Sequence, residues 1–134
     1  CLSVMTVQIT VHYAQTIYIA KEYAPGTCRF RTTLQHAARH VNTDIITFNE
    51  LLPALRQAVQ DAATGLGAAG PVDAANQDQL IARRDEMVNR LKTALADKTD
   101  ELEKIRLQRQ QMIDTRQEYL RISALCATEP LPRQ

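Results

Sequence analysis

A chain of 134 residues with a formal net charge of +1 and no tryptophan is long enough to bury one real core. Its near-balanced charge excludes the basic footprint of a nucleic-acid binder and a polybasic membrane patch. No apolar run reaches the roughly 18 residues of a membrane-spanning helix.

The chain starts at Cys1 rather than Met, which reads as a mature or trimmed product; a lipid anchor on Cys1 is a second reading of the same start. The three cysteines lack C-x-x-C spacing, which argues against a structural zinc knuckle. In an oxidising compartment they imply one disulfide and one thiol left over.

Residues 4–11 (Val-Met-Thr-Val-Gln-Ile-Thr-Val) are β-branched and roughly alternating, which predicts a strand. His12-Tyr-Ala-Gln15 connects it to a second predicted strand over residues 16–20. The pair is expected to form an antiparallel hairpin within residues 1–26, one face lying on helices. Ala24-Pro-Gly-Thr27 is a turn, with Thr27 placed to cap the helix that follows.

Residues 27–64 carry helical periodicity. Leu34, Ala38, Val41, Ile45, Phe48, Leu52, Leu55, Val59 and Ala62 form a heptad seam suited to a partner helix or a second copy of the chain. Pro53 removes one backbone donor and is expected to kink the helix or restart it after Asn49. The Gly-rich stretch in residues 65–74 turns the chain back. A second long helix is predicted from about residue 75 to 114, with Ile81, Val88, Leu91, Leu95, Leu102 and Ile105 on its apolar side. Thr115-Arg-Gln-Glu118 has capping-box form and starts a short last helix ending near Cys126; residues 127–134 form a frayed tail. The expectation is a single α+β domain, an N-terminal β-hairpin packed at one end of a long antiparallel helical hairpin.

The return of the second helix brings Cys126 near Cys28, and the hairpin brings Cys1 near it too. Cys28–Cys126 is favoured because it closes the longer loop and ties down the last helix; Cys1–Cys28 is the alternative.

His36 and His40 are four residues apart, so on a helix their imidazoles project from one face and suit a shared metal ion. With Leu34 at 0° and about 100° per residue, His36, His40 and Asp44 fall near 200°, 240° and 280°, away from the seam. Two imidazoles bind a divalent ion weakly, so a third ligand is required. Asp44 continues the stripe and suits direct ligation or support of a His ring, and His12 is the other candidate because the predicted hairpin turn lies level with the stripe. In the hydrolase motif H-E-x-x-H the Glu is the general base for the attacking water. Ala37 stands at that position.

The stretch from Ile17 through Pro25-Gly-Thr-Cys28 to His36-Ala-Ala-Arg-His40 and Asp44 resembles a group of bacterial secreted proteins described as predicted zinc-dependent proteases. Ile113-Asp-Thr-Arg-Gln-Glu-Tyr-Leu, with Cys126, resembles the closing region of that group. The resemblance implies a periplasmic or secreted protein, zinc held by His36 and His40, paired cysteines and a peptide or protein substrate. Ala37 departs from the group's catalytic Glu, so it implies impaired turnover, whether as a natural pseudo-enzyme or through an introduced change. The rival expectation is a non-enzymatic periplasmic helical-hairpin module, partnering or dimerising through the seam.

Overall fold

The computed structural model describes residues 4, 6–67 and 76–129. Three helices follow in order: α1 (Cys28–Gly65), α2 (Gln77–Gln111) and α3 (Arg116–Leu125). The two long helices form an antiparallel hairpin and α3 is short. Cys1, most of the predicted loop and the last five residues lie outside the described residues.

The start of α1 shows why the helix begins where it does. Thr27 Oγ1 accepts from the Phe30 N–H at 3.1 Å, and the Thr27 carbonyl takes the Arg31 N–H at 3.2 Å. The two remaining N–H groups, of Cys28 and Arg29, are met by the Glu129 carboxylate at 2.8 and 2.9 Å. Every orphan donor of the first turn is thus satisfied, and a negative charge sits at the positive end of the helix dipole. Those bonds hold the Glu129 carboxyl below its usual range. Pro53 is carried inside α1, which runs on without restarting.

The expected β-hairpin is not there. Among the described residues no strand occurs, so the α+β class is corrected to all-α. Residues 6–19 make no backbone–backbone hydrogen bond among the described residues. The physical reason is that strand propensity reflects fit to a half-buried pleated surface, and a lone two-stranded ladder without a tight turn is marginal in water. The segment runs beside helix instead, with its apolar side chains still partly exposed. Val4, Val7, Ile9 and Val11 line a groove with Leu52, Leu55 and Val59. Tyr13 stacks on Phe48 with ring centroids 6.1 Å apart.

The chain divides into two compact units, one of Cys1–Val11 with Asn49–Lys104 and the other of His12–Phe48 with Ile105–Gln134. In the first unit the buried apolar residues are Leu55, Val59 and Met87, so the α1 seam faces inward there as its periodicity requires. In the second unit the same seam is turned out: Leu34 is 39% and Ile45 42% exposed, while Asp44 and Thr47 are 3% and 1% exposed. The inward stripe of α1 in that unit is therefore the polar one. It meets polar partners: Arg106 Nε lies 3.1 Å from Asp44 Oδ1, and Arg109 donates to Thr47 Oγ1 at 3.0 Å. Buried polar atoms demand partners, and the end of α2 supplies them.

The second unit is closed by a disulfide between Cys28 and Cys126, with Cα atoms 5.7 Å apart. This is the longer of the two loops the sequence offered.

Candidate metal centre

The inward stripe of α1 carries His36 and His40 one turn apart, with ring centroids 4.8 Å apart. The antiparallel run of α2 ends beside them, and the turn into α3 places Asp114 between the two rings. His36 Nε2 and His40 Nε2 lie 3.1 Å apart, and Asp114 Oδ1 lies 3.1 and 3.0 Å from them. Donors bound to one ion at about 2.0–2.1 Å stand roughly 2.9–3.4 Å from one another in tetrahedral or octahedral arrangement, so this near-equilateral triangle has the spacing of a shared ion.

The hydrogen bonds behind the rings fix which atoms are free. The Gln110 amide donates to the His40 carbonyl at 3.1 Å and to Asp44 Oδ1, which turns its Oε1 towards His40 Nδ1. That contact requires the proton on Nδ1 and leaves the Nε2 lone pair pointing at the triangle. His36 Nδ1 faces the Glu118 carboxylate at 3.5 Å, with the same consequence for its Nε2. With the rings neutral, two imidazole lone pairs and a carboxylate oxygen converge; with a ring protonated, its Nε2–H donates to Asp114 Oδ1. Such a donor set suits a divalent cation, and backing of the distal nitrogen by carboxylate or amide oxygen is the usual support of a histidine ligand.

Glu118 is held where it stands. Arg121 donates to it at 2.8 Å from both Nε and Nη2, and Arg39 Nη1 donates at 2.5 Å. The Arg121 bonds, with those from His36 and the Arg39 charge, hold its carboxyl down at about 2 against burial. It is a spent acceptor, not a free base. Burial pushes the Asp114 carboxyl up, but the Tyr119 hydroxyl at 3.1 Å and the two histidines outweigh it and keep that carboxyl below its usual value.

The expected ligands fare differently. His36 and His40 are brought together, their side chains 14% and 25% exposed, beside an Asp114 side chain that is 42% exposed and leaves one side of the triangle open. Asp44 is buried and committed to Arg106, Gln110 and Gln15, so it touches neither imidazole nitrogen and acts on His40 through Gln110. Its charge, after burial itself, pushes the Tyr13 hydroxyl up to about 12. His12 is exposed and belongs to no such three-donor group among the described residues. No protein-family model, curated protein or solved structure matches the chain.

Asp114, Gln110, Glu118 and Tyr119 are the residues that spacing alone did not single out. A groove of about 270 Å³ runs beside His36 and Tyr119, walled by Thr33, Ile122 and Ser123. Of the residues of the centre, His36 and Tyr119 border it.

Proposed function

We propose that the chain is an exported, zinc-metalloprotease-like protein that binds one divalent ion through His36, His40 and Asp114. The observation that carries this reading is the triangle of three lone-pair donors, each backed by a partner that aims it. The nitrogen and carboxylate donor set, without sulfur, suits zinc among the common ions. A bound zinc ion supplies Lewis acidity towards a peptide carbonyl lying in the adjacent groove. Glu118 and Gln110 hold the imidazole protons on Nδ1, and Tyr119 orients Asp114 while facing the groove.

At position 37 the chain carries no proton acceptor. Ala37 occupies the place of the general base, and Glu118 is tied to two arginines. The chain as written therefore binds metal and peptide with little turnover. Metal analysis of the purified protein tests the reading: one zinc per chain, lost in His40→Ala and Asp114→Asn, is expected. Protein that takes up no metal at micromolar zinc overturns it. Ala37→Glu is expected to raise peptide hydrolysis by roughly 10²–10⁴-fold, the usual contribution of a positioned base.

A second reading is favoured by one feature. Leu34, Ile45 and Ile46 of α1 are exposed in the second unit, a face suited to a partner helix or a second copy. A concentration-dependent oligomer that Ile45→Glu abolishes is the expected signature. The disulfide fits an oxidising, extracytoplasmic setting, and no helix among the described residues is long and apolar enough to cross a membrane.

A further inference from the structure

The third donor reaches the histidines only through α3. Asp114 lies in the turn immediately before that helix, and Glu118 and Tyr119, which support the site, lie in its first turn. Yet α3 has little apolar grip. Glu118 is its one buried residue, and Leu120 and Leu125 are 59% and 56% exposed. Its attachments to α1 among the described residues include the Glu118 bond to Arg39 and its contact with His36, the His36–Tyr119 ring contact, the Glu129 carboxylate on the first turn of α1, and the Cys28–Cys126 bond. Of these only the last is covalent, and Cys126 itself is 2% exposed, the plug of that corner.

We propose that the Cys28–Cys126 disulfide is a redox latch for the metal centre: closed, it holds Asp114 against His36 and His40; opened, it releases the third donor and lowers divalent-ion affinity at that centre, while leaving two thiols beside Glu129. The inference rests on the metal-binding reading above and assigns its regulation. Opening requires a dithiol reductant. One of its sulfurs attacks the protein disulfide to form a mixed disulfide, and its second displaces the remaining cysteine. The reductant leaves as a disulfide, and two electrons and two protons end on Cys28 and Cys126 as thiols. With α3 then held by non-covalent contacts alone, Asp114 spends time away from the rings, and two imidazoles make a weak site. Linkage makes the effect reciprocal, so a bound ion must also protect the disulfide.

Zinc titration against a fluorescent chelator is run on the oxidised chain and on the Cys28→Ala/Cys126→Ala double variant, with helicity followed by circular dichroism. The expected result is one site in the oxidised chain and roughly 5–150-fold weaker binding in the double variant at retained helicity. Equal affinity in the two overturns the latch and leaves the metal reading standing. No zinc bound by the oxidised chain overturns the metal reading, and the latch with it. Should the double variant lose its helices, a second measurement decides, starting from folded oxidised protein. The rate at which a trialkyl phosphine cleaves the disulfide is expected to fall several-fold with saturating zinc, and not to fall in Asp114→Asn. An unchanged rate in the unmodified chain overturns the latch.

Discussion

At the scale of single residues the site is decided by atoms that never touch an ion. Gln110 and Glu118 each hold a proton on the far nitrogen of a histidine. Removing such support typically weakens metal affinity by about 10–100-fold. Glu118→Gln and Gln110→Ala are expected to show that loss in a zinc titration, with stoichiometry unchanged. Glu118 also ties stability to pH. Its carboxyl is lowered to about 2 from an ordinary 4.5, so its contribution is complete above pH 4.5 and disappears as the pH falls towards 2. Urea unfolding at pH 7 and at pH 2 checks this: Glu118→Gln is expected to be less stable than the unmodified chain at pH 7, and the gap to close at pH 2. Half of this centre was legible in the sequence. The His36–His40 pair announces itself because its two members share a helix and a spacing. Asp114 does not, because it is 78 residues from His36 and only the antiparallel return of α2 puts it there. Asp44 looked like a ligand for the converse reason: it shares the face, but Arg106 and Gln110 reach it first.

Elements repeat the contrast between local and distant causes. Caps are local, and both expected caps are present. Thr27 and Thr115 accept from N–H groups three residues on, at 3.1 and 3.2 Å. The capping box is completed on one side only, since the Glu118 side chain turns to Arg39 and Arg121. Thr115→Ala is expected to cost about 1 kcal/mol in denaturant unfolding, the usual value of an N-cap. Strands are not local. The alternation through residues 4–11 predicts half of a ladder, but nothing in a sequence guarantees the other half, and here Leu55 and Val59 lie beside it instead. In the first unit Leu55→Ala is expected to cost about 2–5 kcal/mol, because Leu55 is among the few buried apolar side chains there. The heptad seam was legible as a pattern. Its direction was not, because periodicity locates a face without saying what meets it.

For the molecule as a whole, the interior of the second unit is mostly polar: Asp44, Thr47 and Glu118 are buried beside Ile113 and Cys126. Such an interior yields little hydrophobic stabilisation, and a covalent staple is the natural remedy. The Cys28–Cys126 bond closes a loop of 98 residues, for which chain entropy predicts about 4–5 kcal/mol. Reduced protein is expected to unfold at correspondingly lower denaturant concentration. The bond from Glu129 to the first turn of α1 spans 101 residues and has a consequence for synthesis. A ribosome releases Cys28 long before Glu129 is made, so two amide groups at the head of the first helix wait for their carboxylate partner while the intervening chain is synthesised. The head of the first helix is therefore completed only when two distant parts of the chain meet.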